Sequence, residues 1–325
     1  MALDLTVDTA PAWVTEHGLN PYNASLVATE LSGGVSASVI AVTGRGVAVV
    51  LKQALPRLRV ADLWEASVDR TDSEAAALRL FAELTPGAVP DVLAHDTDDH
   101  VLAIELLPPS AKNWQGEIAA QRVYPSLGTW AGATLGTWHA HTAQQPEVTS
   151  TFDAFDAFEQ LRLMPFHETV MLRRPELASA IRPYLAELRS SRRCLVDGDY
   201  APKNILVQPK GRAWVLDLEV VHVGNPIFDL GFFLSFVVLS AVRWPSLTAE
   251  LRELADRFLA EYAAVAGTGF TVEEAAITGH TACLILARTD GKSPAPFLDD
   301  RSRARAHSVG TALLARPEGG IWSWS

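Results

Sequence analysis

The stretch Leu195–Phe233, LVDGDYAPKNILVQPKGRAWVLDLEVVHVGNPIFDLGFF, constrains the fold more than any other part of the chain. Three apolar runs, Cys194–Val196, Ile205–Val207 and Ala213–Leu216, are too short for helices and are bounded by turn residues, as buried strands are. Pro209-Lys210-Gly211 supplies the turn between the second and third runs. The polar residues are ordered around these runs. Asp197 and Asp199 follow the first, Asn204 precedes the second, and Asp217 and Glu219 follow the third. Hairpinned strands would gather Asp199, Asn204, Asp217 and Glu219 around one mouth. Their oxygens suit Mg2+, a hard cation that prefers oxygen donors and keeps waters for bound phosphates. Asp, Asn and Gly also populate ordinary surface turns. The weight therefore rests on the ordered set, Asp-x4-Asn and then Asp-x-Glu thirteen residues on, with its matching strands.

At 325 residues the chain has room for one large or two modest domains with real cores. A hydrophobic fraction of 48% against 20% charged excludes a disordered chain. The longest apolar run, Leu230–Val242, is interrupted by Ser235 and Ser240 and falls short of the ~18 residues of a membrane span. The first residues, MALDLTVDTAPAW, lack the basic and apolar regions of a signal peptide. Cys194 and Cys283, the two cysteines, make neither a disulfide framework nor a metal site, and a cytoplasmic setting is expected. A net charge of −11 argues against a nucleic-acid surface, which needs a basic stripe.

Along the chain, a helical lead-in to about Pro21 precedes strand-like runs at Ser25–Leu31, Ser36–Val42 and Val47–Lys52. Gly33-Gly34 and Gly44-Arg45-Gly46 lie between them as hairpin signals. Lys52 is expected at the end of the third strand. Thr71-Asp72-Ser73-Glu74 opens a helix that Pro86-Gly87 stops, and Thr71-x-x-Glu74 reads as a capping box. Val89–Ala94 and Val101–Leu106 read as two further strands, and Pro108-Pro109 as an extended connector and domain boundary. The remainder is mostly helical. Helices are expected at Gly116–Arg122, Leu127–His141 and, in two pieces, within Phe152–Leu188, with a kink or stop at Pro165. Others are expected at Thr248–Ala264, Thr271–Ala287 and Arg301–Leu314. His139 and His141 are two apart, project to different sides of a helix and are taken as structural. Asp229 stands where it could cap the helix that follows Pro226. Arg288–Pro294 reads as a charged loop.

Asp199-Tyr200-Ala201-Pro202-Lys203-Asn204 and Asp217-Leu218-Glu219 resemble the catalytic and metal-binding segments of the aminoglycoside phosphotransferase and choline kinase group of small-molecule kinases. Lys52-Gln53-Ala54-Leu55-Pro56, Arg59-Val60, Trp64, Asp69-Arg70 and Pro86–Val92 are similar to stretches of the 5-methylthioribose kinase branch. Ala287–Pro294 is similar to a broader phosphotransferase group, and the likeness runs over about residues 28–310. It implies an α+β, protein-kinase-like fold of two lobes. Residues 1–107 would form a small nucleotide-binding lobe of antiparallel sheet plus helix. Residues 108–325 would form a large, mainly helical lobe for catalysis and acceptor binding.

The resemblance also implies ATP, Mg2+ and a small-molecule acceptor, and it assigns roles. Asp199 receives the acceptor hydroxyl proton, and Asn204 and Asp217, with Glu219, hold Mg2+. Lys52 reaches the α and β phosphates, and Glu74 is its acidic partner. Gly33, Gly34 and Ser36 lie in the loop over the phosphates. Backbone groups of Glu105–Leu107 meet the adenine. Asp229 supports the catalytic loop; apart from the resemblance, the mixed charges around the Gly291 turn suggest Arg288, Asp290 and Lys292 as a rim of the acceptor site.

Two departures matter. The family histidine two residues before the base is Asp197 here, and Asn204 is usually missing from methylthioribose kinases. Three functions remain open on the residues. One is a kinase of a sugar-like or alcohol metabolite. Another is an aminoglycoside phosphotransferase with an acidic groove that includes Asp290, Asp299 and Asp300. The third is a nucleotide-binding, pseudokinase-like module, motivated by Asp197.

Overall fold

The structure, a computed structural model, describes residues 3–31, 36–59, 64–153, 155–208 and 211–325. It divides into two compact units, residues 1–110 with 217–220, and residues 111–216 with 221–325. The short return segment 217–220 thus belongs with the first unit, which a single cut along the chain does not capture.

The first unit is built on a five-stranded sheet of order β1-β2-β3-β5-β4, antiparallel throughout. Its strands are β1 (Val27–Glu30), β2 (Ala37–Gly44), β3 (Val47–Ala54), β4 (Val92–Asp96) and β5 (Val101–Glu105). Alternation along β3 decides what each face carries. Val47, Val49 and Leu51 join Trp13 and Val14 of helix α1 (Ala10–Glu16) in one apolar cluster. Lys52 has the opposite parity. Helix α2 (Arg70–Leu84) contributes Ala75, Leu78 and Phe81 to the buried interior together with Glu74. β3 runs on through Gln53 and Ala54, so Lys52 lies inside the strand and not at its end. Gln53 explains the extension. Its side chain bonds the carbonyls of Leu3 and Asp99 and the N–H of Leu5, which ties the lead-in to the sheet.

The second unit is mainly helical. Its strands are β6 (Lys112–Asn113), β7 (Cys194–Val196), β8 (Ile205–Val207), β9 (Ala213–Val215) and β10 (His222–Gly224). β8 and β9 form the expected hairpin, and β6 joins β8. β7 pairs with β10. The helices run in chain order as α3 (Trp114–Ala119), α4 (Ser126–Thr142), α5 (Pro146–Thr151), α6 (Asp156–Phe158), α7 (Thr169–Arg173), α8 (Ala178–Ser190), α9 (Ile227–Arg243), α10 (Thr248–Ala266), α11 (Glu274–Asp290) and α12 (Asp300–Ala315). Residues 227–242 of α9 are all buried, and α10, α11 and α12 pack around it. Its apolar surface all round is that of a core helix. Among the described residues no helix is long and apolar enough to cross a membrane.

Glu159–Glu168 is π-helical and carries Pro165 without ending. The wider turn accommodates the missing N–H that was expected to stop or kink the segment. Arg288, Thr289 and Asp290, expected in a loop, form the last turn of α11.

Helices α4 and α10 pack backbone to backbone. A Cβ on Gly132 would lie 2.2 Å from the Phe258 carbonyl oxygen, and one on Gly128 the same distance from that of Leu254. Glycine every fourth residue lets two backbones approach where any side chain would hold them apart. Replacing Gly132 by Ala is expected to lower unfolding free energy by about 3 kcal/mol, read from urea titrations. An unchanged midpoint would mean the two helices part at little cost.

His167, in the π-helical segment, is buried and has no hydrogen-bond partner at either ring nitrogen among the described residues. Burial, then the nearby His280 and Arg189, pushes its pKa down from 6.5 to about 3. The unfolded chain therefore takes up this proton first. The stability due to the neutral ring is complete above about pH 6.5 and drains away as pH falls toward 3, by up to about 1.4 kcal/mol per unit. A His167→Leu variant is expected to lose less stability than the wild type between pH 7 and 5. Parallel stability–pH curves would refute this.

Candidate active site

In the first unit Lys52 Nζ lies 2.7 Å from Glu74 Oε1 and 2.7 Å from Asp217 Oδ1. The lysine and Glu74 are buried, while the Asp217 side chain is 32% exposed. Burial alone would depress the lysine's pKa, but Asp217, Glu74 and Glu219 outweigh it and raise the pKa above the ordinary value. Lys52 stays charged. Glu74 responds the other way. Burial, reinforced by the charge on Asp217 and opposed by Lys52, pushes its carboxyl up to about 7. The capping box is absent. Asp69 occupies the N-cap of α2, and Thr71 lies inside the helix. Glu74 turns its carboxylate to the lysine.

Arg70, which the sequence reading left without a role, anchors the same region. Its Nε donates to Glu219 Oε2 at 2.9 Å in a pair whose side chains are 1% and 7% exposed. Its Nη2 donates to the carbonyls of Ser36 and Leu55 at 2.6 and 2.8 Å. Glu219 is thus engaged by an arginine, and Ser36 is held through its backbone. Gly33 and Gly34 lie outside the described residues. Asp217 has φ +67°, the left-handed region that Asp tolerates better than most residues. In Glu105–Leu107, the N–H of Glu105 donates to Asp91 and that of Leu106 to Ala48. The Leu107 N–H has no partner among the described residues.

In the second unit the loop after β7 is held from beneath by α9. Asp229 is not a cap, since Pro226 stands at the N-cap position. Its two oxygens accept the N–H groups of Asp197 and Gly198, each at 2.8 Å. His139 Nε2 lies 3.2 Å from the same carboxylate, and its Nδ1 lies 3.0 Å from the Tyr262 hydroxyl. Asp197 Oδ1 accepts the Asp199 N–H at 2.9 Å, so the residue in place of the family histidine braces its own loop.

The Asp199 carboxylate meets three side chains. Arg162 Nη2 lies 2.8 Å from Oδ1, Asn204 Nδ2 lies 2.5 Å from Oδ2, and Lys203 Nζ contacts Oδ2. Arg162 also donates to the Gly198 carbonyl at 2.7 Å. Neither Arg162 nor Lys203 was assigned from the sequence. Lys203 at least stood inside the matched motif, whereas nothing near Arg162 marked it. Asn204 Oδ1 makes no hydrogen bond among the described residues, and the Asn204 carbonyl accepts the N–H of Leu216, which precedes Asp217. An amide oxygen without a donor among the described residues is the kind of hard ligand that suits a hard cation.

The residues expected at an acceptor rim are differently placed. Asp290 is held by Arg174 Nε at 2.8 Å and His307 Nδ1 at 2.7 Å, with 9% of its side chain exposed. Asp299 caps α12 through the Ser302 N–H. Arg288 is buried, and Lys292 is exposed.

The model of the phosphotransferase enzyme family matches residues 27–277, and the chain belongs to that family. Methylthioribose kinase of Bacillus cereus (strain AH187) is 26% identical over 264 residues, or 73% of this chain and 67% of that enzyme. Choline kinase LicA from Streptococcus pneumoniae superposes with a TM-score of 0.54 at 12% identity, covering 94% of this chain and 99% of that one. The streptomycin–ATP–APH(2")-IIa ternary complex gives 0.50 at 14% identity, with 97% of each chain covered. At such identities the two structures speak to the fold, which is the α+β kinase-like one. The chain is accordingly a small-molecule kinase.

Removing the Asp229 carboxylate leaves the buried N–H groups of Asp197 and Gly198 without an acceptor. Asp229→Ala is therefore expected to cost about 3–5 kcal/mol of unfolding free energy. A loss under about 1 kcal/mol in chemical denaturation would show that the loop holds itself.

Proposed function

We propose that the protein transfers the γ-phosphoryl group of Mg–ATP to a hydroxyl of a small-molecule acceptor. The observation that carries this reading is Lys52 Nζ held 2.7 Å from both Glu74 and Asp217, in a chain of the phosphotransferase family. Lys52, fixed and charged, neutralises the nontransferred phosphates as a point charge. Glu74 positions the lysine, and Arg70 with Glu219 positions the 217–220 segment. Asn204 and Asp217 would hold Mg2+, which would supply positive charge against the phosphates. The Leu107 N–H serves the adenine. Asp199 accepts the proton of the attacking hydroxyl. Arg162, Lys203 and Asn204 fix its carboxylate, so little reorganisation is needed as the hydroxyl attacks.

An aminoglycoside acceptor is less well supported, because Asp290 is engaged by Arg174 and His307 and Asp299 caps a helix. A binding module without turnover is less well supported too, since Asp197 braces the loop that carries Asp199.

Asp199→Ala is expected to slow phosphoryl transfer by about 10²–10⁴-fold while calorimetry still detects Mg–ATP binding. Transfer at the wild-type rate would remove Asp199 as the base.

A further inference from the structure

Arg288 carries a permanent positive charge into the interior without an acid of its own. It is 5% exposed at the last turn of α11. Its Nη1 donates to Ser293 Oγ at 2.9 Å, and its Nε has no hydrogen-bond partner among the described residues. Aromatic rings make up part of its surroundings, with the guanidinium carbon 5.9 Å from the ring centre of Phe166 and 5.3 Å from that of Phe236. Arg162 lies 5.6 Å from the same Phe166 ring and reaches Asp199. Burial pushes the Arg288 pKa down to about 10, with Asp199 attracting the charge and Arg162 repelling it.

The arrangement is built. A Cβ on Gly291 would lie 2.4 Å from the Ala287 carbonyl oxygen and 3.0 Å from that of Pro165, so glycine is needed to close the last turn of α11 and also eases its close approach to the π-helical segment that carries Arg162. The Lys292 N–H donates to the Pro165 carbonyl at 2.9 Å, and Arg173 Nη1 donates to the carbonyls of Asp290 and Gly291. Two guanidinium groups thereby share the Phe166 ring, one of them paired with Asp199 and the other with its planar donor fork incompletely used. Guanidinium forks match carboxylate and phosphate oxygens, and a cation approaching them would be repelled.

We propose that Arg288, with Arg162 beside it, is the subsite for an anionic group on the phosphoryl acceptor. The acceptor is then a hydroxy compound bearing a carboxylate or phosphate, and not an amino alcohol or amino sugar. This rests on the kinase reading and narrows its substrate class. Arg288 is a specificity-determining residue, and Asp199 remains the base.

The test uses the full chain with Mg–ATP and follows ADP release over acceptors matched except for charge. Glycerate is set against glycerol and 2-amino-1,3-propanediol, and gluconate and glucose 6-phosphate against glucose and glucosamine. The expected result is a kcat/KM for at least one anionic member about 10²-fold above its neutral and cationic counterparts. The carboxylate and phosphate arms identify which anion is recognised. Arg288→Gln is expected to erase that preference through KM while Mg–ATP affinity holds. Arg288→Lys, which keeps the charge and loses the fork, is expected to retain part of it, and serves if the glutamine variant does not fold. Preference for a neutral or cationic member, no turnover of any anionic member while Mg–ATP binds, or an unchanged preference in both variants would each overturn the subsite. Failure of the wild type to bind Mg–ATP would instead sink the kinase reading itself.

Discussion

One ammonium group held between two carboxylates is the interaction on which the first unit depends. Bringing Lys52 out of water is costly, and a buried ion pair is by itself weak evidence of stability. Among the described residues Glu74 and Asp217 face Lys52, and Glu219 faces Arg70. Burial, with the charge on Asp217 adding to it and Lys52 opposing it, pushes the Glu74 carboxyl up to about 7. Such an expensive core keeps its geometry only if the neighbouring backbone holds it in place. Arg70 does so by bonding Glu219 together with the carbonyls of Ser36 and Leu55.

The second unit solves a different problem, which is holding a polar loop still. The answer is a carboxylate at the start of the most buried helix. Asp229 accepts two loop N–H groups, and His139 and Tyr262 extend the network inward. A network with these partners satisfied rigidifies what it touches. Asp197, with its own oxygen on the Asp199 N–H, adds the last constraint.

Much of this was legible in the sequence, because short apolar runs bounded by turns and helical apolar spacing are local signals. The strands β7, β8 and β9 and the helices α2 and α4 follow from them, whereas the pairing of Lys52 with Glu74 is implied only by the family resemblance. What escaped is nonlocal. β10 is three residues long and has no pattern of its own, so its pairing with β7 appears only in three dimensions. Arg70 and Arg162 look like ordinary charges until their distant partners are known. The capping-box pattern at Thr71 gives way to a tertiary ion pair, and the charged run at 288–290 reads as a loop because burial of an arginine leaves no mark in composition. Gly128 and Gly132, four residues apart, were a readable sign of close helix packing that went unread.

The central claim is that the Lys52–Asp217 centre receives the nucleotide's phosphates with a divalent cation. Hydrogen–deuterium exchange on the full chain, with ATP and with or without Mg2+, tests it most directly. The account expects peptides covering residues 49–54 and 217–220 to slow together when both are present, and much less with ATP alone. Exchange in those two segments indifferent to Mg–ATP, at concentrations that saturate binding, would contradict it.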